Sequence, residues 1–135
     1  MQEDFQIVET DITPTVRFSP KEGKFELSGE SRPENVSKFY EPIYLWLDNY
    51  IESVLDSADA KAQQKVVNFK FTYFNSTSAK CILFLLNKFE KLFKNGHNIQ
   101  INWYYDQPDL DMKDSGEEYA KLCTMPFILH EVIEG

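Results

Sequence analysis

The segment KVVNFKFTYF, Lys65 to Phe74, runs almost without a break into STSAKCILFLLNKFEKLFK, Ser76 to Lys94. The first alternates with period two: Val67, Phe69, Phe71 and Tyr73 share one face, and Asn68, Lys70 and Thr72 share the other with Val66. The second carries Cys81 to Leu86 and then Phe89, Leu92 and Phe93, the three-and-four spacing of a helix that is apolar nearly all round at its start. A central strand that feeds directly into a core helix restricts the chain to layered α/β architectures. Lys88, Lys91 and Lys94 gather near the helix C-terminus, where the helix dipole favours them, and Asn95-Gly96 offers a cap.

The flanking segments extend this alternation. Thr15 to Ser19 and Lys24 to Ser28 alternate around the turn Ser19-Pro20-Lys21-Glu22-Gly23 and predict a hairpin. Gly29 to Asn35 reads as a loop, with Asn35 or Ser37 available to cap the next helix. From Val36 to Ser57 the apolar residues fall on one helical face, with Trp46 at its edge and partly exposed. Pro42 predicts either a helix that starts near Glu41 or a kink. Ser57 to Gln64 reads as a polar connection. Asn98 to Asp106 alternates as a strand, Asp109 to Cys123 reads as an acidic-started helix, and Phe127 to Ile133 as a last short strand. The expected fold is a single domain over 1–135, an α/β layer sandwich with at least part of its sheet parallel.

Charge and composition narrow the function. A net charge of −8 and a pI near 4.7 repel a phosphate backbone, which argues against nucleic-acid binding. No basic amphipathic helix, membrane-length apolar run or signal-peptide pattern stands out, so the expectation is a cytoplasmic protein without membrane attachment. Cys81 and Cys123 then read as reduced core thiols. His97 and His130 lack Cys or His at ligand spacing and read as surface or rim residues, so no metal is expected. Asp109 to Gly116 imitates a calcium loop but puts Lys113 at a ligand position and Asp114 where the loop needs glycine. The five glycines form no phosphate-cradling pattern, and no nucleophile elbow is present. No cofactor and no enzymatic activity are expected.

One stretch remains. Asn75-Ser76-Thr77-Ser78 opens the second long helix with three successive hydroxyls after an asparagine. One side chain suffices to cap a helix. The others stand in the first turn, where unpaired amides and the dipole favour an anion. A phosphate placed there adds roughly −1.5 to −2 charges and is able to expel a partner packed on the neutral surface. Capping and switching are both open on the residues alone.

Several motifs, taken in order, resemble those of one family. They are Thr13-Pro14 before the hairpin, Gly29-Glu30-Ser31-Arg32-Pro33-Glu34-Asn35, Phe39-Tyr40-Glu41-Pro42 with Trp46-Leu47, and Tyr73-Phe74-Asn75-Ser76-Thr77-Ser78. Trp103-Tyr104-Tyr105 and Asp111-Met112 with Gly116-Glu117 complete the set, which spans nearly the whole chain. The chain resembles the SiaC-type regulatory phosphoproteins of bacteria, relatives in fold of the STAS-domain anti-sigma factor antagonists. The resemblance implies a STAS-like mixed sheet with helices packed mainly on one face. It implies partner switching by a phosphoprotein, in which a serine/threonine protein kinase adds a phosphate and a PP2C-type phosphatase removes it. The unmodified form binds a target, such as a diguanylate cyclase, in cyclic-di-GMP signalling and biofilm behaviour. By the motif, the acceptor is Ser76, where the family also carries threonine, and Thr77 is the second choice. The resemblance places Glu30, Ser31, Arg32, Glu34, Asn35, Asn75 and Ser78 on the partner-binding surface, with Arg32 available to a phosphate. A purely structural alternative for Gly29 to Asn35 is a turn and cap fixed by Pro33 and Asn35. The rival function is a small-molecule-binding module or enzyme using that loop in a pocket, and a third is a structural subunit with exposed aromatics such as Trp46.

Overall fold

A computed structural model describes residues 3–133. Its strands are β1 (Phe5–Ile7), β2 (Thr15–Ser19), β3 (Lys24–Ser31), β4 (Lys65–Phe74), β5 (Ile99–Asp106) and β6 (Phe127–Val132). Its helices are α1 (Val36–Val54), α2 (Ala58–Ala62), α3 (Ser76–Lys94) and α4 (Leu110–Leu122). The strands form one sheet in the order β1-β2-β3-β4-β5-β6. The first three pair antiparallel, and β3 to β6 pair parallel. Each parallel strand returns to its next neighbour through a helix. Right-handed crossovers that always advance in one direction put α1, α3 and α4 on the same face of the sheet.

The core lies between those layers. Phe18 and Phe25 from the hairpin meet Tyr50 and Phe89 from α1 and α3, with ring centroids 5.3–6.5 Å apart. Trp46 stacks on Tyr50 at 5.5 Å and is covered by Phe5 at 5.6 Å. The tryptophan is therefore packing, held under β1, a strand too short for alternation to reveal. On the other side of the sheet, Asn102 Nδ2 donates to Asn68 Oδ1 and His130 Nε2 meets Asn102 Oδ1, each at 2.9 Å. These bonds satisfy a polar face that no helix covers.

Several expectations need correction. Gly29 to Ser31 belongs to β3 and is not loop: Gly29 sits at φ +107°, a conformation other residues rarely adopt. Opposite it, Gly29 pairs with Phe71 but Glu30 pairs with Tyr73, so Thr72 is an extra residue in β4. That bulge reverses the alternation, turning Tyr73 out to 49% exposure and Phe74 in against Phe71 and Trp103. Pro42 lies inside α1, which begins at Val36. The carbonyl that loses its partner there belongs to Lys38, an exposed residue that leaves it open to water. Ser57 caps α2, a short helix within the supposed polar connection. His97 is buried, its Nε2 3.0 Å from the Leu55 carbonyl. His130, by contrast, lies half-buried at the rim as expected and stacks on Tyr104. Cys81 and Cys123 also agree with expectation as free thiols, Cys81 buried and Cys123 half-buried.

Candidate functional site

Because β3 and β4 run parallel, their C-terminal ends lie side by side, and so do the starts of the helices that follow them. Ser31 pairs with Phe74, and the Asn75 amide donates to the Ser31 carbonyl at 3.1 Å. Each helix is then capped by an asparagine. Asn35 Oδ1 accepts from the Lys38 amide at 3.1 Å, and Asn75 Oδ1 accepts from the Ser78 amide at 2.9 Å. Two helix N-termini thus stand together at one end of the sheet, with Glu30 to Asn35 running between them.

A chain of hydroxyls joins these elements below the surface. Ser31 Oγ donates to Ser78 Oγ at 2.9 Å, and Ser78 Oγ donates to the Ser31 carbonyl at 3.0 Å. With the Ser31 proton so used, the Tyr40 hydroxyl donates to Ser31 Oγ at 2.7 Å. Burial pushes the Tyr40 hydroxyl up to about 12, which keeps it a donor at any ordinary pH. Two further tyrosines brace the start of α3. Tyr119 of α4 donates to the Ala79 carbonyl at 2.7 Å, and Tyr44 of α1 donates to the Cys81 carbonyl at 3.1 Å. Burial raises both hydroxyls as well.

Above this brace the surface is open. Ser76 and Thr77 are both exposed. Thr77 Oγ1 donates to Asn75 Oδ1 at 3.0 Å, whereas Ser76 Oγ makes no hydrogen bond among the described residues. Ser76 and Thr77 are the first two helical positions, whose amides have no intrahelical acceptor. Arg32 pairs with Glu30, and the Arg32 amide donates to the Ile12 carbonyl at 2.8 Å, tying the loop to the turn before β2. Glu34 and Asn35 are exposed beside them.

The structure therefore divides the residues assigned to a partner surface. Glu30, Arg32, Glu34 and Asn35 reach solvent, and Asn75 is half-buried with its oxygen committed to the cap. Ser31 and Ser78 are fully buried and lie beneath the surface, so their part is to hold strand and helix together. Tyr40 was absent from the expected site because its place on the apolar stripe of α1 reads as simple packing. Its neighbours in sequence gave no sign of its distant hydroxyl partner.

Fold and site together define a small mixed-sheet α/β domain that presents one free hydroxyl, that of Ser76, at a braced helix start. The chain belongs to the SiaC family of regulatory phosphoproteins, whose family model matches residues 7–132. It is 23% identical over 126 residues to an uncharacterized protein of Pseudomonas aeruginosa (strain UCBPP-PA14), covering 93% of this chain and 94% of that one. The crystal structure of the diguanylate cyclase SiaD in complex with its activator SiaC, from Pseudomonas aeruginosa, matches with a TM-score of 0.83 at 22% identity. That match covers 96% of this chain and 100% of the matched chain. The apo-SiaC crystal structure from the same organism matches with a TM-score of 0.81 at 23% identity, over 94% and 98% of the two chains. At such identities the structural likeness is one of fold.

Proposed function

We propose that this chain is a non-enzymatic, cytoplasmic binding switch controlled by reversible phosphorylation at Ser76. A serine/threonine kinase adds the phosphate, a PP2C-type phosphatase removes it, and the unmodified form binds and activates a diguanylate cyclase, as SiaC of Pseudomonas aeruginosa is the activator of SiaD. Cyclic-di-GMP signalling and biofilm behaviour follow from such a target. The observation that carries the reading is the free, exposed hydroxyl of Ser76 at the first helical position of α3. Thr77, whose hydroxyl is engaged by Asn75, is the second choice. A phosphate on Ser76 meets unpaired amides and the positive end of the α3 dipole, which favour it by about 0.3–1 kcal/mol. In this reading Arg32, one residue beyond the Ser31 that anchors Asn75, exchanges its partner Glu30 for the phosphate. Such an exchange alters the charge of the Glu30 to Asn35 surface without a new fold.

The test is phosphosite mapping by mass spectrometry on protein from its native cells, with Ser76→Ala and Thr77→Ala alongside. Phosphate on Ser76 that only Ser76→Ala removes is the expected result. Phosphate on Thr77 moves the acceptor by one residue. A chain unmodified under every growth condition reduces Asn75 to Ser78 to a helix cap.

A further inference from the structure

The sheet has two edges, β1 and β6. β1 is three residues long and offers little for another strand to pair with, whereas β6 runs over six, Phe127–Val132. The Pro126 and Val132 carbonyls accept from the Ile101 and Gln107 amides at 2.9 Å, which turns both residues toward β5. Successive residues of a strand direct their backbone groups to opposite sides, so Ile128 and His130 also face β5, and Phe127, Leu129 and Glu131 face outward. The outward amides and carbonyls meet no backbone partner among the described residues. Exposed edges are usually guarded by lysine, proline or a bulge. β6 contains none of these and leaves Ile128 41%, Val132 39% and, one residue on, Ile133 66% exposed.

We infer that β6 pairs antiparallel with β6 of a second copy of this chain, about a two-fold axis through His130. The strand's match to itself selects this occupant. Opposed residues of an antiparallel pair share a face of the sheet, so an axis normal to the sheet sets each residue against one of the same parity. With His130 opposite its own copy, Ile128 meets the partner's Val132, Phe127 meets the partner's Ile133, and Leu129 meets the partner's Glu131. Every apolar side chain left open on the edge is then covered by another, and no carboxylate meets its like. Moving the axis to Leu129 sets Phe127 against Glu131 and carries Val132 and Ile133 past the end of the opposite strand. Moving it to Glu131 sets that carboxylate against its copy. In the favoured register the outward-facing Leu129 and Glu131 exchange both backbone bonds, and His130 falls in a non-hydrogen-bonded pair. The axis is clear, because the imidazole leans toward β5, with Nε2 2.9 Å from Asn102 Oδ1. Such an axis keeps both helix layers on one face of a continuous sheet and points the two β4 strands in opposite directions. The two Ser76 surfaces then stand at opposite ends, so the pairing neither uses nor blocks the proposed switch.

The test combines sedimentation across a concentration series with disulfide trapping of the full chain; thermal melts establish that each variant is folded. Wild type should shift from monomer to dimer as concentration rises. Val132→Lys, which alters both Ile128 pairs at once, should raise the dimer dissociation constant about 10-fold or more. Trapping with oxidised glutathione reads the register, with wild type as the blank for Cys81 and Cys123. His130→Cys should close a disulfide between copies, since the opposed Cα atoms of a non-hydrogen-bonded pair approach to about 4.5 Å. Val132→Cys alone should not, because its copy lies four residues along the strand, about 13 Å away. Mixed with Ile128→Cys, it should close one. A wild type that stays monomeric throughout overturns the inference, and so does a dimer that Val132→Lys leaves intact. Trapping of Val132→Cys with itself in place of His130→Cys overturns the register and the pairing argued from it. Ser76→Asp should sediment as wild type does; dispersal by that change would put the contact at α3 and likewise overturn the edge pairing.

Discussion

Trp103 shows how one residue sets the terms for another. It is fully buried, and its Nε1 donates to the Met112 carbonyl at 3.0 Å, so the first turn of α4 rests on the indole. One turn further on stands Gly116, where a Cβ would come within 2.7 Å of that nitrogen and 2.9 Å of Cγ. Alanine is the better helix former by about 1 kcal/mol, yet here it overpacks. Gly116→Ala should therefore destabilise the protein by about 1–3 kcal/mol in urea unfolding; a raised midpoint would mean that the indole moves aside freely. Gly116-Glu117 was legible as a family motif, but its reason was not, since the ring it accommodates lies in another element. His97 was read as a surface residue for a related cause: its type suggests water, while its burial is decided by Leu55, far away in sequence. Burial lowers its pKa, opposed by the bond to the Leu55 carbonyl and aided by Lys65 and Lys61 nearby. The unfolded chain takes up a proton near pH 6.5 and the folded chain resists it, so this contribution is full above about pH 6.5 and is lost as pH falls below it. In His97→Gln, which keeps a donor for Leu55, the decline of stability between about pH 6.5 and 5 should be shallower. An unchanged slope would assign the pH dependence to other groups.

At the scale of elements, the Ser31, Ser78 and Tyr40 hydroxyls make β3, α1 and α3 one mechanical unit under the Ser76 surface. Ser78→Ala leaves the Ser31 hydroxyl without its acceptor in a buried place, at about 1–3 kcal/mol. Ser31→Ala strips both Tyr40 and Ser78 of a partner at similar cost. Because the two changes remove the same chain of bonds, the double variant should fall short of their sum by about 0.5–3 kcal/mol. Additive losses would mean that the hydroxyls act separately. The elements that meet here were largely readable from sequence. The period change at Asn75 gives both the end of β4 and the start of α3, and Asn35 gives the start of α1. What periodicity missed was the bulge at Thr72, because one inserted residue inverts the face of Tyr73 and Phe74 without changing their types. It also missed β1 and α2, which are too short to establish a period and exist because Trp46 and Ser57 give them something to close on.

For the whole molecule, alternation of strands and helices was enough to give an α/β layer sandwich with part of its sheet parallel, whereas helices gathered on one face of a mixed sheet followed only from the family resemblance. The docking of α1 against α3 was not readable, because it depends on pairings such as Tyr44 with Cys81 across 37 residues. That docking decides how the proposed switch can work. The start of α3 is fixed by the Asn75 cap, by the Ser31–Ser78 brace and by tyrosines from α1 and α4, so a charge on Ser76 has little to unfold. It points to solvent at a helix end that favours negative charge. Ser76→Asp should accordingly leave the melting transition unchanged or stabilised by about 0.3–1 kcal/mol. Its amide chemical-shift changes should stay within residues 30–40 and 75–81, while cyclase binding is lost. The loss should also ease as salt is raised, because an exposed charge is screened over about 10 Å at 0.1 M. Shifts spread through β5 and α4, or a marked fall in melting temperature, would mean that control runs through loosening of the fold. A confined response with binding lost at low salt and partly restored at high salt identifies a switch that works by surface charge on an unmoved scaffold.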